Sequence, residues 1–328
     1  MTKFKLFITV LKDTYFGFFE NKILKMSASL AFTTVFSMAP LFLVILYLCD
    51  IFLSKEAIEG VIFNQTSQFI GTSGAMQLQS MIKELSISNN KYTGWIGGIT
   101  LLIGATSVFA EIQDSINTIW GIRPKIKSSF WLYLKSRLLS FGVIGSLGFI
   151  LLVSLGFSAV LDFINQELFS NFSTVGVYLM YGFSILFTTI IITLLFGSIF
   201  TILPDADIAW KQVRVASFTT AVLFMGGKFL ISYYISNSNI SSIYGTAGSL
   251  VILMLWVYYS SVILYLGAEF SKCFAVKFAN PIKASAFAEI VQKVELVTDS
   301  KTIQKADEEK KEIKNAPEIE VKNIINKL

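Results

Sequence analysis

Apolar residues run through this chain in six long stretches, at residues 27–53, 95–112, 138–161, 175–203, 213–235 and 247–270. Each is close to, or longer than, the ~20 predominantly apolar residues a helix needs to cross a bilayer. The fourth is long enough to tilt or to extend past the lipid. The second is the shortest, carries Glu111 near its end, and continues in helical pattern to Trp120. The pattern predicts an all-α membrane protein, a six-transmembrane-helix bundle. Ahead of it, residues 3–24 place Phe4, Ile8, Leu11, Tyr15 and Phe18 on one helical face, with lysines and Asp13 off that face. This predicts an N-terminal interfacial amphipathic helix. A signal peptide is the rival reading, but Asp13 and Glu20 interrupt the run and no small-residue cleavage site follows.

The stretches divide the chain into a cytoplasmic-side helix at 1–26, a membrane domain at 27–275 and a charged cytoplasmic tail at 276–328. Residues 54–93 read as an extracytoplasmic helical hairpin. Ile58, Val61, Ile62 and Phe69 make one pattern, Met76, Met81, Ile82 and Leu85 the next, and Gly71-Thr72-Ser73-Gly74 the turn between them. Such a hairpin lies on the outer face of the bundle or acts as a lid over a path through it. From Glu289 onward the tail has eight lysines and nine acids, which predicts a partly helical or disordered extension without chemistry of its own. Small residues at four-residue spacing, such as Gly94 and Gly98 or Gly245 and Ser249, allow close helix packing.

Composition sharpens this picture. The chain is 54% hydrophobic and 15% charged, against about 25% charged in soluble domains. Of its 49 charged side chains (27 basic, 22 acidic), 17 fall in the last 40 residues, so the first 288 residues hold only 32. Histidine is absent, which excludes histidine triads, zinc sites and haem ligation. Cys49 and Cys273 form no CxxC pair and no metal quartet. A net charge of +5 could point to nucleic acid, but the basic residues alternate along the chain as 5, 3, 5, 0, 2, 0 and 11 in the successive segments outside the spans. That series puts 23 of 27 on one side and identifies it as the cytoplasm, with both termini there. The charge is a topology signal, and no nucleic-acid partner is expected.

Four runs resemble one family. Ala28-Ser29-Leu30-Ala31-Phe32-Thr33-Thr34 followed by Pro40 is similar to the first-span signature of the YihY/BrkB family of bacterial inner-membrane proteins. The run from Ala110 to Gly121, with Glu111, Asn117 and Trp120, resembles its second motif. Leu203-Pro204-Asp205, Trp210 and Lys228 are similar to the third. Tyr244-Gly245-Thr246-Ala247-Gly248-Ser249-Leu250, with Trp256, Tyr258 and Leu266-Gly267-Ala268-Glu269, resembles the fourth and most specific. The likeness covers residues 6–278. It implies a multi-pass protein of the bacterial inner membrane. It carries over no catalytic residues, because the family is largely uncharacterised; the name ribonuclease BN that it once bore is regarded as a misassignment, and members are discussed as lipid or solute exporters.

The functional readings differ in the residues they need. A histidine-free nuclease requires clustered carboxylates around a metal, for which Glu111, Asp114, Asp205, Asp207 and Glu269 are the candidates. No stacking aromatic and basic pattern accompanies them, so enzyme activity is not expected. A transporter keeps costly ionisable groups inside its spans. Lys228 is such a group, about 22 Å into the fifth span, and Pro40 lies about 20 Å into the parallel first span. Pro40 frees the Phe36 carbonyl, and Thr33, Thr34 and Ser37 add hydroxyls. The expectation is that Lys228 faces the bundle interior near residues 36–40 and meets a carbonyl, water or an anionic ligand. Glu111 and Glu269, toward the inner ends of their spans, are expected to face the interior or a cytoplasmic cavity. With no P-loop and no cofactor motif, the best reading is a transporter of an amphipathic anionic lipid or solute, with membrane lipids as partners. A non-transporting scaffold or envelope-integrity factor is the alternative.

Overall fold

The computed structural model describes residues 3–52, 93–125, 174–238, 244, 248–278, 282–285, 288–291, 302 and 305. The third apolar stretch, the 54–93 hairpin and most of the tail lie outside the described residues. What is described is mostly helical: α1 (Lys3–Glu20), α2 (Ile23–Phe52), α3 (Thr93–Trp120), α4 (Thr174–Ile202), α5 (Trp210–Asn237) and α6 (Gly248–Phe278). Four short strands complete it: β1 (Ile122–Pro124), β2 (Ala206–Asp207), β3 (Lys283–Ala284) and β4 (Ala288–Ile290). By length and composition, three stretches among the described residues are able to cross a membrane: Ile185–Ile202, Trp210–Ile235 and Leu250–Phe278.

Helix α6 is the central element. It packs against α1, α2, α3 and α5, while α2 also packs on α3 and α5 on α4. Glycines set how closely these helices approach. A Cβ on Gly267 of α6 would meet Thr220 and the Phe200 ring, and one on Gly197 of α4 would overlap the Trp210 ring. Ile116, Ile119, Phe200, Val213, Leu264 and Tyr265 form the buried core between the helices.

Helix α6 runs on to Phe278, and the chain then returns as strands. β3 pairs antiparallel with β2, setting Lys283 opposite Asp207. β4 pairs antiparallel with β1, setting Glu289 opposite Arg123. Backbone groups left open where α3 ends and where α4 turns into α5 explain this, because a returning segment satisfies them. Gly121 makes the turn into β1 at φ +68, a conformation glycine adopts without steric cost, and its carbonyl accepts the Val291 N–H at 2.7 Å. The elements above belong to one compact unit, Met1–Val291. Gln292–Leu328 forms a second, in which only Thr302 and Lys305 are described.

Candidate functional site

The richest polar cluster lies at the end of the bundle closed by the strands. Gln113 and Asn117 sit one helical turn apart on α3, and both side chains point at Asp205, just past α4. Gln113 Nε2 donates to Asp205 Oδ1 at 3.0 Å, and Asn117 Nδ2 donates to Oδ2 at 2.8 Å. In return the Asp205 backbone N–H donates to Asn117 Oδ1 at 2.9 Å. The Asp205 carbonyl accepts the Ser285 N–H at 2.9 Å, which ties in the returning segment. Asn117 is only 3% exposed. A buried side-chain amide needs both its donor and its acceptor satisfied, and Asp205 does both. The α5 N-terminus follows at once, where Gln212 Oε1 accepts the Ala209 N–H at 2.7 Å.

A second cluster docks α1. Glu269 of α6 is 1% exposed. It accepts from Asn21 Nδ2 at 2.8 Å, pairs with Lys272 at 3.4 Å, and lies 3.6 Å from Cys273 Sγ. Asn21 occupies the turn between α1 and α2, where Lys22 takes a left-handed φ of 54. Gly17 lies directly over the Glu269 carboxylate, with no room for a Cβ. Farther along, Asp13 of α1 forms an ion pair with Lys277.

The residues singled out from the sequence are not gathered into one site. Glu111 is half-buried on the α3 face that carries Ser115 one turn later. Ser115 lies beside buried Tyr265, which is also within electrostatic reach of Glu111. The hydroxyls of the first span are taken up locally: Thr33 donates to Ser29 O, Thr34 to Leu30 O, and Ser37 to Thr33 O and, across the helix pair, to Gly104 O. The α2 backbone runs through Pro40, whose side chain lies outside the described ones.

Lys228 corrects the expectation drawn from its depth. Its side chain is exposed rather than turned into the bundle. Two features explain this. α2 and α5 each pack on α6, and their other partners differ: α3 for α2 and α4 for α5. The buried stripe of α5 runs through Val213, Ser217, Thr220 and Gly227, and Gly227 takes the contact with the Tyr259 hydroxyl. Lys228 is one residue beyond, about 100° around the helix.

Sequence reading missed Gln113, Asn21 and the partnership of Asn117 with Asp205. Their signal was faint: uncharged amides inside or beside apolar helices. Among the described residues, no three acidic or cysteine side chains come together as a metal-binding group.

This is the architecture of an integral membrane protein, with long apolar helices held at one end by a polar clamp. The chain belongs to the Virulence factor BrkB family, whose model matches residues 14–287. It is similar to a UPF0761 membrane protein of Haemophilus influenzae strain 86-028NP, at 26% identity over 77% of this chain and 90% of the relative. A UPF0761 membrane protein of Psychromonas ingrahamii is 29% identical over 76% of this chain and 82% of its own length. No solved structure matches. The family match spans Asn117, Asp205, Gly17, Asn21 and Glu269, so all of both clusters but Asp13 falls within it.

Proposed function

We propose that this protein is a non-enzymatic, cofactor-independent carrier of an anionic amphiphile, of the lipid class, in the bacterial inner membrane. In this reading it has six spans and cytoplasmic termini, and the clamped end faces the cytoplasm. The observation that carries the reading is Lys228. It is an exposed cation in a helix able to span the membrane, next to Phe229 and Leu230, which are 60% and 71% exposed. Trp210 and Tyr233 mark the two ends of α5, about 35 Å apart, as interfacial aromatics do. Lys228 lies about 27 Å from Trp210. At that depth an ammonium on the outer surface of the helix needs an anion or a short reach to the headgroups. A lipid phosphate meets both needs.

Thr33, Thr34, Ser37 and Pro40 then shape the first span, and Glu111 and Glu269 brace the cytoplasmic end. Native mass spectrometry tests the lipid contact. The wild type is expected to retain anionic phospholipid, and Lys228→Met to lose it while keeping its fold. Equal retention by both would overturn the assignment. The scaffold reading is favoured by a different observation: Asn117, Asp205 and Glu269, all within the motif regions, are spent on internal hydrogen bonds.

A further inference from the structure

Helix α1 is attached to the bundle by its less apolar side. Val10, Thr14 and Gly17 are buried, and Val10 packs with Phe270 and Cys273 of α6. The opposite side carries large apolar groups that are about half or more exposed: Phe4 is 73% exposed, Tyr15 62% and Phe19 57%, with Ile8 and Leu11 at 49% each. At 100° per residue, positions 4, 8, 11, 15 and 19 fall within an arc of about 80°, roughly opposite the docked face. Lys5 and Lys12 flank that arc on one edge, about 60–80° from its centre. Both are exposed, and the Lys12 ammonium stands 5.9 Å from the centre of the Phe16 ring. The nearest acid, Asp13, is committed to Lys277. Lys5, Lys12, Lys22 and Lys25 are in no ion pair among the described residues.

We infer that the Phe4–Ile8–Leu11–Tyr15–Phe19 face of α1 is a binding surface for an anionic lipid leaflet, with Lys5 and Lys12 holding lipid phosphates at its edge. Apolar area and lysines combine here as they do in helices that lie in a headgroup layer. Helix α2, which follows after a short turn, is an apolar helix that also leaves large aromatics uncovered, with Phe32 and Phe36 56% and 66% exposed. A soluble protein partner on α1 would leave the exposed aromatics of α2 uncovered, whereas a lipid leaflet covers apolar groups on both helices. The inference rests on the membrane family alone and stands whether or not lipid is transported. Each lysine near an anionic surface contributes about fivefold to partitioning, so two contribute about 25-fold.

The test uses the full chain in nanodiscs. An environment-sensitive fluorophore is placed on Leu11→Cys, in a Cys49→Ser, Cys273→Ala background whose melting temperature matches the wild type. Shallow spin-labelled lipid should quench it strongly in discs containing phosphatidylglycerol and far less in pure phosphatidylcholine. Lys5→Gln with Lys12→Gln should abolish that dependence on lipid charge. Equal quenching in both lipids, unaffected by the lysine changes, would overturn the role of the phosphates. A solvent-exposed signal in both, or one that changes only with protein-to-disc ratio, would overturn the lipid assignment in favour of water or a second copy. Should the cysteine background fail to fold, tryptic cleavage at Lys22 and Lys25 of the unaltered chain in the two lipids gives the same reading: anionic lipid must protect them.

Discussion

Asn117 and Asp205 hold each other twice. The Asn117 amide donates to the Asp205 carboxylate at 2.8 Å, and the Asp205 backbone donates back to the Asn117 carbonyl at 2.9 Å. Eighty-eight residues apart in sequence, they join the end of α3 to the turn between α4 and α5.

Asp205→Ala removes the acceptor for two side-chain amides, one of them buried. Hydrogen bonds to a charged acceptor contribute about 1.5–3 kcal/mol each, so a loss of about 3 kcal/mol is expected, read as a lowered melting temperature in detergent. Asn117→Asp should be at least as damaging, since it sets two carboxylates face to face. An unchanged melting temperature in both variants would show that the clamp contributes nothing to the fold.

Adjacent glycines in α5 should behave in opposite ways. A Cβ at Gly227 would overlap the Tyr259 hydroxyl, whereas one at Gly226 meets nothing within 4 Å. Gly227→Ala should destabilise the α5–α6 contact by about 1–3 kcal/mol, with partial recovery on adding Tyr259→Phe. Gly226→Ala should be neutral or stabilising by about 0.5–1 kcal/mol, through helix propensity. Thermal melts of the four proteins decide it, and equal effects of the two glycine changes would contradict the packing described.

The docking of α1 depends on Gly17 having no side chain. Gly17→Val should push α1 off Glu269 and release the Asn21 bond. Trypsin should then cleave at Lys22 and Lys25 severalfold faster than in the wild type. An unchanged cleavage rate would mean that α1 is held elsewhere.

The distribution of basic residues predicts a membrane sidedness that can be tested: a six-span arrangement with cytoplasmic termini puts 23 of 27 on the cytoplasmic side. A cysteine at Asn171 should react with an impermeant label from the periplasmic side only. Reaction from the cytoplasmic side only would reverse the arrangement.

The helices were legible in the sequence because bilayer thickness dictates the length of an apolar run. Residues 175–203 are found as Thr174–Ile202, and residues 213–235 lie within Trp210–Asn237. Facing was less legible. Depth along a span does not give the direction a side chain faces: which side of α5 points inward is set by Gly227 against Tyr259, a tertiary contact, and Lys228 lies off that side. The strands at 283–290 went unread because they are two or three residues long and exist only as partners of distant segments. Asn117 and Asp205 were both in view as parts of motifs, but nothing in their spacing says that they meet.

We propose that this protein moves an anionic lipid past Lys228. The direct measurement is leaflet exchange in proteoliposomes carrying a trace of fluorescent phosphatidylglycerol, with dithionite added outside. Wild-type protein should make the inner-leaflet pool reachable far faster than in empty vesicles, and Lys228→Met should return the rate to that of empty vesicles at unchanged incorporation. A wild type no faster than empty vesicles, or a Lys228→Met variant as fast as the wild type, would contradict the account.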